Sequence, residues 1–468
     1  MRAPWANDAE WRRVLVYGLG LSGKAAARLL LRQGVTVVGV DARPAPVLDL
    51  GDLAGDPRLE LAGPPEPTEL PPGIDGIVLS PGVPPDRPLL ADARRRGVAV
   101  IAEVELAFPF LDGPVVAITG SNGKSTTTAL AGAMLRASGR RVEVCGNIGE
   151  PLAGRVEGPP GRIFVVELSS FQIEGVVGFR PQAAALLNLS EDHLDRYGSM
   201  AEYAAAKKRL FAGMGDDAVA VLNADDPATL EVATAARKRL FSRRGPVADG
   251  CFLDGELVVE VDPGEPPVEL FSAGDVPLAG VQNLENAMAA ALLARAAGAE
   301  PGELREGLRA FQGLPHRLQR VGERAGVVFY DDSKGTNPAA TAKSLEGFAD
   351  GSVHLILGGR NKGADLGALA PLVGQKAKRL YLIGEAAGDF ERALAGAAPA
   401  ERAETLERAV RAAAERARPG EAVVLSPACA SFDQFRNFVH RGEVFQALVR
   451  DVTATTGEGG GHGQEAGL

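Results

Sequence analysis

The chain has 468 residues, 46% of them hydrophobic and 24% charged, with a formal net charge of −10. That length exceeds what one core organises and suggests about three domains; the apolar fraction suffices for packed cores, and the acidic balance excludes a nonspecific nucleic-acid binder, which needs a basic surface. Cys145, Cys251 and Cys429 are widely spaced and read as reduced thiols of a cytoplasmic protein, and neither a membrane-spanning run nor a signal-like core is expected.

In chain order, the first predicted strand, Leu15-Val16-Tyr17, runs into Gly18-x-Gly20-x-x-Gly23 and a helix-like segment, and the next apolar run, Val35 to Val40, closes on Asp41. A strand before, a helix after and an acid at that distance make a dinucleotide-binding fingerprint, which taken alone points to an NAD-dependent dehydrogenase. Ala42 to Gly73, rich in Pro, Gly and acid, is expected to form loops between short strands. A boundary near Phe108 to Gly113 sets a first domain of residues 1–110.

The central domain, residues 111–313, opens with Val115 to Ile118 and then Thr119-Gly120-Ser121-Asn122-Gly123-Lys124-Ser125-Thr126. Backbone N–H groups and Lys124 at the start of a helix suit a phosphate, and Ser125 or Thr126 suits magnesium. Ile118 departs from the usual pattern, which has Gly five residues before Gly123. Two further apolar runs end in polar residues: Ile163 to Val166 in Glu167-Leu168-Ser169-Ser170-Phe171-Gln172, and Ala184 to Leu187 in Asn188-Leu189-Ser190-Glu191-Asp192-His193. Such runs suit a parallel sheet buried on both faces, whose ligands gather beyond the carboxyl ends of the strands. Glu167 then offers magnesium a hard oxygen, and His193 is either a second ligand or a base.

Tyr203, Lys207, Leu210, Phe211 and Met214 share one helix face, so Lys207 points inward and Lys208 to the flank. A desolvated amine favours its neutral form, which reacts with carbon dioxide to an anionic carbamate able to help hold a second magnesium; a snorkelling lysine or a plain phosphate contact fits the same spacing. Val247 to Leu278 reads as short antiparallel strands of an inserted sheet. After a second boundary near Phe311 to Pro315, runs at Val327, Val353, Leu380 and Ala422 alternate with helical stretches and make a third α/β unit, residues 314–452. Residues 453–468 are expected to be a disordered Gly-rich tail. The fold class is α/β: a Rossmann-like N-terminal domain, a central P-loop-type ATPase domain with a mostly parallel sheet, and a Rossmann-like C-terminal domain.

Ser121 to Ser125, Glu167 to Gln172, Asp331-Asp332-Ser333-Lys334-Gly335-Thr336-Asn337-Pro338 and Ser426-Pro427-Ala428-Cys429-Ala430-Ser431-Phe432-Asp433-Gln434-Phe435 together resemble the Mur ligases, over nearly the whole chain. Within that family they resemble the branch that joins D-glutamate to UDP-N-acetylmuramoyl-L-alanine. The resemblance implies a cytoplasmic, ATP-dependent amide ligase of peptidoglycan synthesis, acting as a monomer with two magnesium ions. It places Gly120, Ser121, Asn122, Gly123, Lys124, Ser125 and Thr126 around the phosphates, Ser125, Glu167 and His193 on magnesium, and makes Lys207 the carbamylated lysine. Asn283 and Asn286 come to the nucleotide side, Arg317 and Lys334 to phosphates, and Asp332 to the ribose. Leu21, Ser22, Asp41, Arg43, Ser80, Pro81 and Gly82 would take the uridine and diphosphate, and Asn147-Ile148-Gly149 the muramoyl part. Thr336 and Lys362 would hold one carboxylate of D-glutamate, and Ser431 with the backbone of Phe438 the other. Arg360 stands where an acid is expected, which bears on how Lys362 is held. With Arg317 and Lys334 on a different domain from Lys124, the third domain is expected to close over ATP. Sibling readings are another Mur ligase or a folylpolyglutamate synthase.

Overall fold

The computed structural model describes residues 2–3, 9–44, 48–190, 196–278, 281–311, 313–361 and 363–454, so His193, Lys362 and most of the Gly-rich tail lie outside the described residues. The chain divides into two compact units, one ending at Phe311 and the other running from Gln312 onward, with 278–280 assigned to the second. The first unit contains two large sheets and the second contains one, so the α/β architecture is built on three of them.

The N-terminal sheet is wholly parallel and ordered Leu59–Leu61, Thr36–Val40, Arg13–Tyr17, Gly76–Leu79, Ala99–Ala102. Strand order reverses beside Arg13–Tyr17, which opens a crevice between its carboxyl end and that of Gly76–Leu79, where ligands of such sheets bind. The helix Leu21–Arg32 starts there and packs close to the strand. A Cβ on Gly23 would come within 1.8 Å of the Gly18 carbonyl, so the close approach requires glycine at that position.

The central sheet has nine strands, ordered Val268–Ser272, Leu257–Val261, Gly250–Asp254, Arg237–Ser242, Val219–Asn223, Ala183–Leu186, Val115–Thr119, Arg162–Glu167, Arg141–Gly146. From Gly250–Asp254 to Arg141–Gly146 every pairing is parallel. Val115–Thr119, Arg162–Glu167 and Ala183–Leu186 are buried along their full length, as apolar runs covered on both faces should be. Residues 247–278 do form an antiparallel meander, but it is no separate sheet. Gly250–Asp254 pairs in parallel with Arg237–Ser242, and the other two strands extend the same sheet at its edge. The helix Val281–Ala296 lies over this sheet with Ala287 to Ala294 fully buried, as a stretch apolar all round demands, while its polar first turns stay nearer the surface.

The second unit has a six-stranded sheet ordered Gln319–Arg324, Val327–Asp331, Ala422–Leu425, Val353–Gly358, Ala377–Ile383, Ala400–Glu404, antiparallel only at the first pair. Helices cover both faces around cores centred on Leu355 with Leu357 and on Ile356 with Tyr381. The opposite-facing neighbours Leu355 and Ile356 thus feed two cores, as strand alternation dictates.

Candidate active site

In the N-terminal sheet the crevice is a cleft of about 460 Å³ lined by Leu21, Ser22, Asp41, Ser80, Pro81 and Gly82, together with Tyr17, Glu66 and Arg87. Gly20 precedes the helix with no side-chain cap, so the first N–H groups of Leu21–Arg32 are left to an anion. Ser80 Oγ donates to the Gly18 carbonyl at 2.7 Å and fixes the two loops to each other. Asp41 accepts from Leu19 N at 2.7 Å and from Arg43 Nε and Nη2 at 2.8 and 2.9 Å. The bonds from Arg43 lead in holding the Asp41 carboxyl down to about 2. In the dinucleotide fingerprint this acid receives a ribose hydroxyl, whereas here both its oxygens are engaged by Arg43.

In the central sheet, parallel register brings three strand ends together: Glu167 pairs with Ile118, and Leu186 with Thr119. Gly120 to Gly123 then turn into the helix Lys124–Ala137, with Gly123 left-handed at φ 82°. Backbone and side-chain bonds together fix the loop. Ser121 N donates to the Asn188 carbonyl at 3.0 Å, Asn122 N to Asn188 Oδ1 at 2.8 Å, and Ser190 N to Ser121 Oγ at 3.0 Å. Lys124 Nζ lies over the loop, donating to the carbonyls of Gly120 and Ser121 at 3.0 and 2.8 Å. Ser125 and Thr126 occupy the first turn, half-buried.

Glu167 is 2% exposed. Its Oε1 accepts from Asn147 Nδ2 at 2.7 Å, while Oε2 is buried with no hydrogen-bond partner. A carboxylate oxygen without a partner in a polar strand-end site fits a hard divalent cation, which would satisfy it. Among the described residues no cluster of three His, Cys, Asp or Glu side chains surrounds it. The neighbouring Ser169 and Gln172 are engaged locally, as the capping box of the helix Ser170–Glu174.

Lys207 is 1% exposed, beside the buried Tyr203, Leu210 and Phe211, while Lys208 pairs with Glu231 at 2.7 Å. Its Nζ stands 4.6 Å from the centre of the Tyr203 ring, and Tyr203 OH lies 3.2 Å from Ser121 Oγ. That contact ties the lysine's helix to the phosphate loop. On the other side, Asn286 Oδ1 accepts from Thr127 Oγ1 at 3.3 Å, and Asn286 Nδ2 donates to Asn283 Oδ1 at 3.2 Å. Asn122, Gly123, Asn286, Asn188, Gln282 and Phe241 line a small cleft.

In the second unit Arg317 and Lys334 are exposed, Lys334 Nζ lying 4.2 Å from the centre of the Phe438 ring. Asp332 is 5% exposed and its carboxylate faces Ser344 Oγ, Ser426 Oγ and Leu318 N, at 2.7, 2.6 and 3.2 Å; burial raises its pKa. A ribose hydroxyl would compete with those donors. Thr336 follows on the same turn, its N–H donating to the Lys334 carbonyl at 2.8 Å. Ser431 is buried, and Phe438 opens the helix Phe438–Ala454 while its carbonyl accepts from Ser333 Oγ at 2.8 Å.

Three family models match in sequence order: the Mur ligase MurD-like N-terminal domain over residues 12–102, the Mur ligase middle domain over 118–294 and the Mur ligase glutamate ligase domain over 316–429. The UDP-N-acetylmuramoylalanine--D-glutamate ligase of Acidobacterium capsulatum is 43% identical over 454 residues, 94% of this chain and 97% of its own. The protein of the same name from Anaeromyxobacter dehalogenans is 47% identical over 464 residues, 95% and 99% of the two chains. The chain belongs to the Mur ligase family. At the level of fold, UDP-N-acetylmuramate-alanine ligase MurC from Thermotoga maritima matches this Mur ligase with a TM-score of 0.56 at 17% identity, covering 94% of this chain and 99% of its own.

Family membership overturns the dehydrogenase reading of Gly18 to Gly23. Several residues around the ligase's clefts were not singled out in the sequence. Glu66 and Arg87 face the first cleft from loops without a motif, and Phe241 reaches the second from a strand whose Arg-rich start hides it. Arg441, fully buried, donates to Ser333 Oγ and the Ser333 carbonyl at 3.0 and 2.9 Å and to the Cys429 carbonyl at 3.2 Å. Burial pushes its pKa down to about 10. A helix of amphipathic pattern gives no sign that one arginine turns inward to hold two distant loops.

Proposed function

We infer that this Mur ligase spends ATP to join D-glutamate to UDP-N-acetylmuramoyl-L-alanine, releasing ADP and phosphate. The full-length match to ligases named for that reaction carries the reading. A carboxylate does not react with an amine at neutral pH because oxide is a poor leaving group. Transfer of the γ-phosphoryl group to the alanyl carboxylate gives an acyl phosphate; the amine then attacks the acyl carbon and phosphate departs.

The residues divide this work. The loop Gly120 to Thr126 cradles the phosphates, and Lys124 and Arg317 offset charge as the phosphoryl group moves. Lys334 reaches phosphate from the C-terminal domain, Asp332 contacts the ribose, and Asn283 and Asn286 face the nucleotide. Magnesium would be held by Ser125, Glu167 and His193, with carbamylated Lys207 at a second ion, and it would neutralise phosphate charge there. The partnerless Glu167 Oε2 supports that placement. Leu21, Ser22, Asp41, Arg43 and Ser80 to Gly82 hold the UDP group, and Asn147 the muramoyl part. Thr336 with Lys362, and Ser431 with the backbone of Phe438, bind the two carboxylates of D-glutamate, since each carboxylate needs its own donors. The amine proton goes to His193 or to departing phosphate. We assign domains at 1–110, 111–313 and 314–452, and a monomer working in the cytoplasm. Among the described residues no helix is long and apolar enough to cross a membrane.

Phosphate release is measured with ATP, magnesium and UDP-N-acetylmuramoyl-L-alanine, comparing D-glutamate, L-glutamate, other amino acids and none. Release that requires D-glutamate, with a product heavier by one glutamyl residue, is expected. Turnover only with another amino acid would move the enzyme to a sibling branch.

A further inference from the structure

Arg360 stands where the family resemblance leads to an acidic residue, and its environment shows what it does instead. The strand Val353–Gly358 ends in the loop that carries Arg360, and the neighbouring strand Ala377–Ile383 ends in Gly384 and Glu385. Arg360 Nε and Nη2 each donate to a different oxygen of Glu385 at 2.9 Å, a bidentate pair with defined orientation. On the backbone, Arg360 N donates to the Ala430 carbonyl at 2.8 Å and Ala430 N returns a bond to the Arg360 carbonyl at 3.2 Å, an isolated antiparallel bridge. Glu385 N donates in turn to Asp433 Oδ2 at 3.1 Å.

One arginine therefore joins three loops at the carboxyl ends of three parallel strands of the same sheet. Ser431 follows Ala430 directly and is 2% exposed, so its position depends on where the Arg360 bridge sets the preceding residue. The ion pair itself is about half exposed on both sides, at 51% and 55%. Exposed pairs add little to folding stability. What this pair can supply is position.

We propose that the Arg360–Glu385 pair is a positioning clasp for the amino-acid site, fixing the loop whose backbone seats Ser431 and thereby setting affinity for the incoming dicarboxylic amino acid. The proposal rests on the reading of Ser431 as a carboxylate-binding group. Arg360 is a positioning residue here, acting through the loop and not on the substrate.

The test is a charge-reversal cycle on the full-length enzyme, with KM measured separately for D-glutamate, ATP and the UDP-sugar. Arg360→Glu is expected to raise KM for D-glutamate about tenfold, with the other two KM values and the melting temperature nearly unchanged. The double variant Arg360→Glu, Glu385→Arg restores the pair with its polarity exchanged, and should return KM for D-glutamate to near wild type. Should Arg360→Glu fold poorly, Glu385→Gln removes the same charge pairing and should raise the same KM. An unchanged KM for D-glutamate in folded single variants, or a double variant no better than Arg360→Glu, would overturn the clasp. Wild-type enzyme inert toward D-glutamate would instead sink the functional reading beneath it.

Discussion

Two buried glutamates, Glu103 and Glu167, each leave one carboxylate oxygen without a hydrogen-bond partner, and their surroundings give them opposite meanings. Glu167 ends a strand beside the phosphate loop, among polar groups that suit a cation. Glu103 is 1% exposed in the short helix Glu103–Ala107, its other oxygen accepting from Ala153 N at 2.5 Å. Burial outweighs the bond from Ala153 and raises its pKa from 4.5 to about 7. In that interval the unfolded chain sheds the proton and the folded chain keeps it. Stability is therefore full below about 4.5 and declines as pH rises through about 7, by on the order of 3 kcal/mol. Glu103→Gln retains the shape and cannot ionise. Its melting temperature should exceed that of wild type at pH 8 and lose that advantage at pH 5; an equal difference at both pH values would show that Glu103 does not titrate as its burial dictates.

At the scale of elements, the phosphate loop is held by what packs on it. Gly123 is left-handed, and a Cβ there would come within 2.2 Å of Asn286 Oδ1 on the helix Val281–Ala296. Gly123→Ala must displace the Asn286 side chain from its bonds to Thr127 and Asn283, or shift the loop, and it also strains the backbone. We expect at least a tenfold loss of ATP affinity in titration calorimetry, with melting temperature affected less than nucleotide binding. Wild-type affinity in that variant would mean that Asn286 gives way freely.

The same elements explain what the sequence made legible. Val115–Thr119, Arg162–Glu167 and Ala183–Leu186 contain continuous apolar runs, so their strand ends and the residues following them could be placed. Lys207 was readable as inward-facing because one lysine lay in an otherwise apolar stripe. Arg237–Ser242 was not readable, since its buried Arg239 is matched by Asp249 and Glu260, at 3.0 and 2.7 Å, from the loop and strand that follow, and nothing local marks that pairing. Nor was the meander's union with the main sheet, because strand pairing is a long-range choice that local alternation does not specify. Likewise Ser169 and Gln172, which look like a functional signature, first of all cap a helix.

For the whole molecule, the groups assigned to one ATP are divided between the two compact units: Lys124 belongs to the first, and Arg317 and Lys334 to the second. Each side alone lacks part of the charge needed to offset a triphosphate during transfer. If all three cations act on the same nucleotide, binding must draw the units into a defined arrangement, and that arrangement also keeps water from the acyl phosphate. Small-angle scattering should therefore change when a non-hydrolysable ATP analogue, magnesium and UDP-N-acetylmuramoyl-L-alanine are added together, with a smaller radius of gyration and a narrower distance distribution. Arg317→Ala should weaken that response while leaving binding of the UDP-sugar alone intact, because its proposed contacts all lie in the first unit. Identical profiles with and without the ligands would mean that the second unit does not close on the nucleotide, and Arg317 and Lys334 would lose their proposed role in phosphoryl transfer.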